Sequence, residues 1–340
     1  MKTFLRGALC AIILTLSIFL ASCGDTQTDT ASFEAMDTLM SFTVYGDESI
    51  CDTIQSRILS LDALVDATDE NSEIYRLNTA KKATVSADTA ALLSNALALC
   101  DRLDGSFDIT VYPAVQAWGF TTGDYRIPDD NELKTLAESI DYTAVSFDGD
   151  GTAFLPEGVM LDLGAVAKGY AADVSGDILR ESSAHAAVLN LGGTIRLYGK
   201  KPDGSRFKVG IADPQNPAGY FGYLSCGEGV VATSGGYERF FEQDGKRYIH
   251  ILDPATAAPV DNNIQSVTIV SDNGAFADAA STALFVMGLD KATAYYQNHN
   301  DFDFIILTDD NNLYVTEGIY DDFTLSDSYD FTIQKVRSLS

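Results

Sequence analysis

Residues Thr233 to Pro254 read TSGGYERFFEQDGKRYIHILDP, and they place the most chemically useful of the chain's three histidines in a rigid setting. The runs 237–243 and 246–252 are strand-like, and the Asp244-Gly245 pair between them predicts a β-hairpin. His250 therefore lies on the returning strand, which the proline at the end of the stretch terminates. Side chains at strand ends often open into clefts. On spacing alone, however, a lone histidine is more often a half-buried sheet residue than a catalytic group.

The composition is that of a globular protein without affinity for nucleic acid. The 340 residues are 46% hydrophobic and 10% aromatic, enough to bury one large core or two modest ones. Basic residues number 22 against 49 acidic ones, and the formal net charge of -27 disfavours nucleic acid and anionic lipid surfaces as partners. Surplus carboxylates also suit a hard divalent cation, although solubility alone explains most of them.

The first residues have the pattern of an export signal. Lys2 and Arg6 precede an apolar run over residues 8–20, and Leu20-Ala21-Ser22-Cys23 follows it. This pattern resembles a bacterial lipoprotein signal, which predicts cleavage before Cys23 and a lipid on that cysteine. An ordinary signal peptide or an uncleaved anchor is the alternative, but the apolar run is short for a membrane span.

The lipoprotein interpretation divides the chain into three parts. These are a signal peptide over residues 1–22, a polar tether over residues 23–32 and one folded domain over residues 33–340. It predicts a protein anchored by its lipid to the bacterial cell membrane and facing the extracytoplasmic side. Cys51 and Cys100 fall within helical apolar patterns and no CxxC spacing occurs, so they are predicted to be buried small hydrophobes.

Helices and strands mix without a regular βαβ alternation. Capping residues and apolar spacing predict helices that begin near Asp47, after Ser86 and at Pro128, with a polar loop over residues 69–78 between the first two. Strand-like runs outside the opening stretch cover residues 42–45, 145–155 as a hairpin about Asp148-Gly149, 187–191, 194–198, 207–211, 220–224, 230–233, 265–270 and, as the final strands, 304–307 and 313–316. The pattern favours an α+β fold with mixed, largely antiparallel sheets, packed helices and two closely associated subdomains.

Residues 161–180, LDLGAVAKGYAADVSGDILR, form a second chemically interesting stretch. They begin extended, turn at Gly164 and continue as a helix through Lys168. Such a turn directs free backbone N–H groups at one spot, which suits a phosphate, and Lys168 adds a charge. The alternative is a tight connection with an exposed lysine. Neither GxGxxG nor GxxxxGK[ST] occurs here, so the stretch predicts neither a Rossmann nor a P-loop site.

A helix that begins near Ala275 carries Asp278 and Thr282 four residues apart, so both side chains lie on one face. A carboxylate and a hydroxyl in this arrangement make half of a magnesium site. A plain hydrogen bond between them is the commoner meaning of such a pair.

Eight runs, taken together and in order, resemble the ApbE family, the FAD:protein FMN transferases. The runs are Met36-Asp37-Thr38, SEIYRLN at 72–78, GSFDITVYPAVQAWGF at 105–120, LDLGAVAKGYAAD at 161–173, LNLGG at 189–193, TSGGYERFF at 233–241, YIHILDP at 248–254 and ADAASTALFVMG at 277–288. The resemblance covers nearly all of residues 33–335, and it is specific because eight runs recur in the family's order.

The resemblance implies an enzyme that splits FAD at its pyrophosphate and attaches FMN through a phosphoester to a threonine or serine of another protein, releasing AMP. Magnesium supports this chemistry, and the partner is an extracytoplasmic acceptor domain of an electron-transfer flavoprotein. No Ser/Thr-Gly-Ala-Ser/Thr acceptor segment of the kind the family modifies occurs in this chain, which indicates a separate target. The alternatives are an FAD pyrophosphatase giving FMN and AMP, and a flavin-binding lipoprotein without turnover.

The resemblance also assigns roles to individual residues. His250 matches the family's proposed general base, which reverses the interpretation from spacing alone, and an imidazole near its ordinary pKa suits that role. Positions that match the FAD pocket are Met36, Ser106, Phe107, Asp108, Asp162, Lys168 and either Ile251 or Leu252. The magnesium ligands that the resemblance implies are the backbone carbonyl of Ala165 and the side chains of Asp278 and Thr282, with Ser281 as a further candidate. The chain departs from the family at Thr68, often an aromatic residue, and at Ala257, usually a glycine.

Overall fold

A computed structural model describes residues 27–148 and 151–339 of the chain. The predicted signal peptide, the predicted lipidation site Cys23 and the start of the predicted tether lie outside the described residues. Gly149, part of the turn predicted between residues 145 and 155, also lies outside them. No helix within the described ranges has both the length and the apolar character needed to cross a bilayer.

Helices and strands alternate irregularly along the chain. The α-helices are α1 (Ile50–Val65), α2 (Glu73–Ala80), α3 (Ala87–Arg102), α4 (Tyr112–Ala117), α5 (Asp130–Ser139), α6 (Ala167–Arg180) and α7 (Gly274–Asn298), and Tyr142–Ala144 form one 3₁₀ turn. The strands are β1 (Thr28–Ala35), β2 (Thr38–Tyr45), β3 (Lys82–Thr84), β4 (Ser146–Phe147), β5 (Thr152–Phe154), β6 (Ala186–Asn190), β7 (Thr194–Gly199), β8 (Phe207–Asp213), β9 (Asn216–Cys226), β10 (Gly229–Gly235), β11 (Phe240–Gln243), β12 (Lys246–Ile249), β13 (Leu252–Asp253), β14 (Ala258–Pro259), β15 (Ile264–Ser271), β16 (Asp303–Thr308), β17 (Asn312–Thr316), β18 (Phe323–Leu325) and β19 (Thr332–Val336).

A nine-stranded sheet in the order β1-β2-β6-β7-β10-β15-β16-β17-β19 forms the centre of the molecule. Its neighbouring strands are antiparallel except for the parallel pair β17 and β19. Consecutive side chains of a strand point to opposite faces, so Val230 packs with the helices on one side while Val231 packs with β8, β9 and β18 on the other. The predicted α+β class with mixed, largely antiparallel sheets is confirmed.

Local signals in the sequence account for two of the helices. The helix predicted after Ser86 is α3, and the Ser86 hydroxyl caps it by accepting a hydrogen bond from the Thr89 N–H at 3.4 Å. The first predicted helix, α1, begins at Ile50, with Ser49 rather than Asp47 at the capping position. Its apolar face, which includes Ile54 and Ile58, is fully buried, as the helical spacing predicted.

The structure corrects three further predictions about secondary structure. Residues 69–78 are not all loop, because α2 begins at Glu73; Ser72 caps it by accepting from the Tyr75 N–H at 2.9 Å, and Leu77 is buried on its inner face. Residues 28–32 form the first half of β1 and pair with β2, so the predicted tether extends too far into the fold. Strands β18 and β19 follow β17, which was predicted to be the last strand.

Helices α6 and α7 cross so closely that only glycine fits at the contact. A Cβ atom on Gly169 would lie 2.1 Å from the carbonyl oxygen of Gly274, and one on Gly274 would lie 2.4 Å from the carbonyl oxygen of Gly169. Asp173 of α6 accepts hydrogen bonds from the Gly274 and Ala275 N–H groups at 2.7 and 2.9 Å, which caps α7. In return, Asp278 of α7 accepts from the Gly169 N–H at 2.9 Å, within the first turn of α6. The two helix starts are thereby fixed against each other.

Candidate active site

A cavity of about 430 Å³ gathers residues from widely separated parts of the chain. Its walls come from the end of α1, the loop before α4, the turn before α6, the end of β10, the residues after β12, and α7. The predicted site residues that line this cavity are Met36, Ser106, Phe107, Asp108, Asp162, Ala165, Lys168, His250, Ile251, Leu252, Asp278 and Thr282. The fold therefore brings together positions that the sequence separates by up to about 250 residues, as expected when strands of one sheet carry the site.

His250 follows the last residue of β12 and is half-buried at the cavity wall. Its Nδ1 atom lies 3.1 Å from the carbonyl oxygen of Arg239. A carbonyl only accepts hydrogen bonds, so Nδ1 carries the proton and the lone pair of Nε2 is free. This is the tautomer that a general base needs at Nε2.

The electrostatic surroundings of His250 differ from the sequence prediction. Burial lowers the pKa of its imidazole to about 4, and the positive charges of Arg239 and Lys168 act in the same direction. The expectation of a pKa near the ordinary value is therefore wrong, because both the low-polarity surroundings and the nearby cations disfavour imidazolium. Near neutral pH the ring is in its neutral, proton-accepting form.

Asp278 and Thr282 lie on the cavity-facing side of α7. Asp278 is 6% exposed, and its Oδ1 atom lies 3.2 Å from the Thr194 hydroxyl and 4.0 Å from the Lys168 ammonium. The Thr282 hydroxyl lies 3.2 Å from that of Ser234. The two ligand candidates thus make hydrogen bonds to Thr194 and Ser234, while their remaining oxygen lone pairs are available to a cation.

Among the predicted catalytic, flavin-binding and metal-binding residues, all of which the structure describes, Ser281 alone does not line the cavity. It is fully buried, and its hydroxyl donates to the carbonyl oxygen of Asp278 at 2.7 Å and lies 2.7 Å from the Ser234 hydroxyl. Within residues 27–148 and 151–339, no three His, Cys, Asp or Glu side chains group to hold a metal. A cation here would depend on Asp278 together with hydroxyl and carbonyl oxygens, including that of Ala165.

The turn before α6 presents Lys168 and Asp162 to the cavity. Asp162 accepts a hydrogen bond from the Gly164 N–H at 2.8 Å, which fixes the turn, and the Lys168 ammonium lies 3.3 Å from the Gly164 carbonyl oxygen. Burial raises the pKa of the Asp162 carboxyl, while Gly164, Arg239 and Lys168 oppose this rise. The predicted turn at Gly164 and the helix through Lys168 are present, but residues 161–163 form no strand. The turn holds Lys168 close to Asp278.

Asp108 lines the cavity, and its side chain makes hydrogen bonds that hold the surrounding loop in place. Its Oδ1 atom accepts from the Thr110 N–H and hydroxyl at 2.8 and 2.6 Å, and its Oδ2 atom accepts from the Tyr142 N–H at 3.2 Å. Burial raises the pKa of this carboxyl, and these hydrogen bonds oppose the rise. The side chain is thus largely occupied in shaping the wall that Ser106 and Phe107 form.

Comparisons with known proteins identify the family of this chain. The sequence model of the ApbE family matches residues 36–306. This chain belongs to the ApbE family. A FAD:protein FMN transferase of Klebsiella pneumoniae (strain 342) is 33% identical over 272 residues, covering 78% of this chain and 84% of that protein. One of Haemophilus influenzae is 29% identical over 337 residues, covering 92% and 95%.

A solved ApbE structure shares the fold. The crystal structure of the ApbE protein from Thermotoga maritima MSB8 superposes on this chain with a TM-score of 0.76 at 31% identity, covering 89% of this chain and 98% of that one. The family resemblance, the ApbE-like fold and the assignment as an enzyme of this family, all predicted from the sequence, are confirmed.

The two departures from the ApbE pattern have different structural settings. Thr68 lines the cavity and is held by Asp66, whose Oδ1 atom accepts from the Thr68 N–H and hydroxyl at 2.7 Å each. Ala257 has φ 55°, the left-handed region that a glycine adopts without strain. The turn therefore keeps the backbone that the family's glycine favours, and its carbonyl accepts the Trp118 indole N–H at 2.8 Å.

Several cavity residues were not singled out in the ApbE-like sequence. Ser234, Glu238 and Arg239 all line the cavity, and all belong to the TSGGYERFF run. Because that run also matches the family, the sequence could have indicated these three residues as site candidates. Asp62 of α1 also lines the cavity and accepts the Met36 N–H at 3.1 Å, but nothing in the local helical pattern distinguishes it.

Proposed function

We propose that this ApbE protein transfers FMN from FAD to the hydroxyl of a threonine or serine in an acceptor flavoprotein, with magnesium, and releases AMP. The observation that carries the proposal is the single cavity in which His250, with a free Nε2 atom, is joined by Lys168 and Asp278. The names of the relatives support flavin transfer. For phosphoryl transfer, His250 supplies a base, Lys168 a positive charge and Asp278 a carboxylate.

The proposed transfer needs one base, which takes the proton of the acceptor hydroxyl. The acceptor oxygen attacks the phosphorus on the FMN side of the FAD pyrophosphate, and the bond from that phosphorus to the bridging oxygen breaks. AMP leaves with the bridging oxygen, and the acceptor hydroxyl gives its proton to Nε2 of His250. A new phosphoester then joins FMN to the acceptor side chain. The Arg239 carbonyl holds Nδ1–H throughout, so the ring keeps its orientation.

The charge balance of the cavity supports a bound divalent cation. Its acidic lining residues are Asp37, Asp62, Asp66, Asp108, Asp162, Glu238 and Asp278, whereas its basic ones are Lys168 and Arg239. An anionic pyrophosphate would be repelled by this excess of carboxylates unless a cation offset it. When bound, magnesium supplies charge neutralisation at the pyrophosphate. Asp278, Thr282 and the Ala165 carbonyl offer the hard oxygen donors that it prefers, with substrate and water oxygens completing the set.

The flavin substrate has apolar walls available to it. Phe107, Ile251 and Leu252 line the cavity beside the polar edges of Ser106 and Asp162. A flat ring system needs such faces with a few polar contacts at its rim. We include in the proposal the lipid anchor at Cys23 and an extracytoplasmic acceptor, which rest on the N-terminal sequence pattern.

The proposal is tested by mass spectrometry of candidate acceptor domains incubated with the protein, FAD and magnesium. We expect one FMN added to an acceptor threonine or serine, stoichiometric AMP, and no addition after chelation of magnesium. AMP and free FMN without any modified acceptor would instead favour an FAD pyrophosphatase. Tight FAD binding with neither product would favour a flavin-binding protein and contradict transfer.

A further inference from the structure

The loop at residues 121–127, here called the rim loop, presents apolar side chains to solvent next to the cavity. Tyr125 is 43% exposed and Ile127 is 39% exposed, although large hydrophobic side chains are mostly buried elsewhere in the described part of the chain. Thr121, at the start of the rim loop, lines the cavity itself. The loop therefore joins the cavity wall to an exposed apolar surface.

Aromatic rings connect this surface to the proposed base. The Phe120 ring lines the cavity, and its centroid lies 6.5 Å from that of His250 and 5.6 Å from that of Tyr125. Tyr125 stacks on Phe241 of β11, with centroids 4.9 Å apart and planes 13° from parallel. Only one ring therefore separates the exposed tyrosine from His250.

The rim loop is held in its exposed position by its own backbone and by α5. A Cβ atom on Gly119, whose φ is +82°, would lie 2.2 Å from the Asp124 carbonyl oxygen, so the chain folds back tightly on itself. Arg126 pairs through both terminal nitrogens with the Glu132 carboxylate of α5. An exposed ring that is fixed beforehand loses little conformational freedom on binding, which makes it a good anchor.

We propose that the rim loop binds the segment of the acceptor protein that presents the hydroxyl, by contact of Tyr125 and Ile127 with an apolar side chain beside the accepting threonine or serine. This inference rests on the proposed function, in which a protein acceptor brings its hydroxyl to Nε2 of His250, one aromatic ring away from Tyr125. The loop has two charged residues: Arg126 is already paired with Glu132, and the exposed Asp124 would disfavour an acidic acceptor segment. Tyr125 and Ile127 therefore supply the attractive contact, which is apolar.

The test uses the purified full-length protein and two twelve-residue peptides with one central threonine. Both peptides place this threonine at the end of a Ser-Gly-Ala-Thr segment of the kind the family modifies. Leucine and phenylalanine follow the threonine in one peptide, and serines replace them in the other. We expect the Tyr125→Ser, Ile127→Ser double variant to raise KM for the apolar peptide about tenfold, as for loss of an interface anchor, with kcat and FAD affinity unchanged. Tyr125→Phe, which keeps the stacked ring, should retain the KM of the unaltered protein.

Tyr220→Ser is the matched control. Tyr220 is 40% exposed, lies on β9 and is absent from the cavity lining, so its loss should leave KM unchanged. Equal KM for both peptides, or an unchanged KM in the double variant, would overturn the docking inference alone. A matching loss of FAD affinity would also overturn it, because the loop would then bind flavin. Transfer to folded acceptor domains but to neither peptide would overturn recognition of a segment, and no transfer to any acceptor would overturn the proposed function itself.

Discussion

The proposed role of His250 as a base rests on one backbone carbonyl and on the low-polarity position of the imidazole. Arg239 contributes twice, since its carbonyl orients the ring and its guanidinium disfavours imidazolium. The same residue pairs at 3.7 Å with Asp37 in the tight turn between β1 and β2. The proposed base is therefore positioned by the residue that precedes β11 rather than by a carboxylate.

Replacement of His250 by glutamine should remove transfer while leaving FAD in place. Loss of a general base lowers kcat by about 10²–10⁴-fold, whereas glutamine keeps a polar group of similar size at the wall. The measurements are single-turnover FMN transfer and FAD affinity by fluorescence. His185→Gln is the matched control, because His185 is exposed and absent from the cavity lining. An unchanged transfer rate in the His250 variant would remove this residue from the mechanism.

The lowered pKa of His250 predicts the acid limit of the proposed transfer. The base works when neutral, and its pKa in the folded protein is about 4 instead of the ordinary 6.5, so activity should persist from pH 7 down to about 5 and fall near 4. The measurement is kcat/KM against pH, with circular dichroism at each pH to verify folding. Arg239→Gln removes a positive neighbour and should move the midpoint upward. A midpoint near 6.5 in the unaltered protein would contradict the environment described for His250.

At the scale of elements, the α6–α7 crossing decides where Asp278 lies. Gly169→Ala should destabilise the fold by about 1–3 kcal/mol, because the new methyl group meets backbone atoms that cannot rotate away. The same change should weaken FMN transfer, since it forces Asp278 away from the Gly169 N–H. Equilibrium urea unfolding measures the first effect, and the magnesium dependence of transfer measures the second.

Gly227→Ala provides the control for this pair of helices. No atom lies within 4 Å of a Cβ at that position, and the backbone is not in the left-handed region. Its effect should stay within about 0.5 kcal/mol, as for ordinary surface changes. Equal stability of both variants would show that the crossing tolerates a wider separation than its geometry implies.

The sequence predicted those helices and strands that are determined by residues close together in the chain. The Asp244-Gly245 hairpin is present as β11 and β12, with both turn residues at positive φ, and the apolar face of α1 is buried as its spacing required. The α2 helix was missed because a polar segment of eight residues carries few apolar positions, and Ser72 alone marked its start. Each such signal acts over a few residues, within reach of pattern reasoning.

Long-range features were beyond those signals. The contact of Gly169 with Gly274, and the burial and cations that lower the pKa of His250, join segments that are distant in sequence. The family resemblance identified residues that share the cavity, but it did not reveal that the Ser281 hydroxyl is turned into hydrogen bonds with Ser234 and Asp278. Orientation of a side chain depends on tertiary packing, which periodicity does not encode.

At the scale of the whole molecule, the central sheet assembles the cavity from both ends of the chain. Met36 follows β1 at one edge, whereas Asp278 lies on the helix after β15, and β2, β6, β7 and β10 lie between those strands. The cavity is complete only when these strands have paired. Loss of the β1–β2 hairpin would therefore remove Met36 and Asp37 from the site as well as an edge from the sheet.

The position of β1 also bears on how the enzyme reaches its acceptor. Because β1 begins at Thr28, only the few residues between Cys23 and the sheet would separate a lipid from the folded domain. We expect Cys23→Ser to move the protein from the membrane fraction to the soluble fraction. The intact mass of the variant should lack the added mass of the lipid, and FMN transfer to a soluble acceptor should be unchanged. Fractionation and intact mass measure these effects, with Thr26→Ala as the control. Retention of the Cys23→Ser variant in the membrane fraction would contradict a lipid anchor and would indicate an uncleaved apolar segment. In that case the substitution should also leave FMN transfer to a membrane-bound acceptor unchanged.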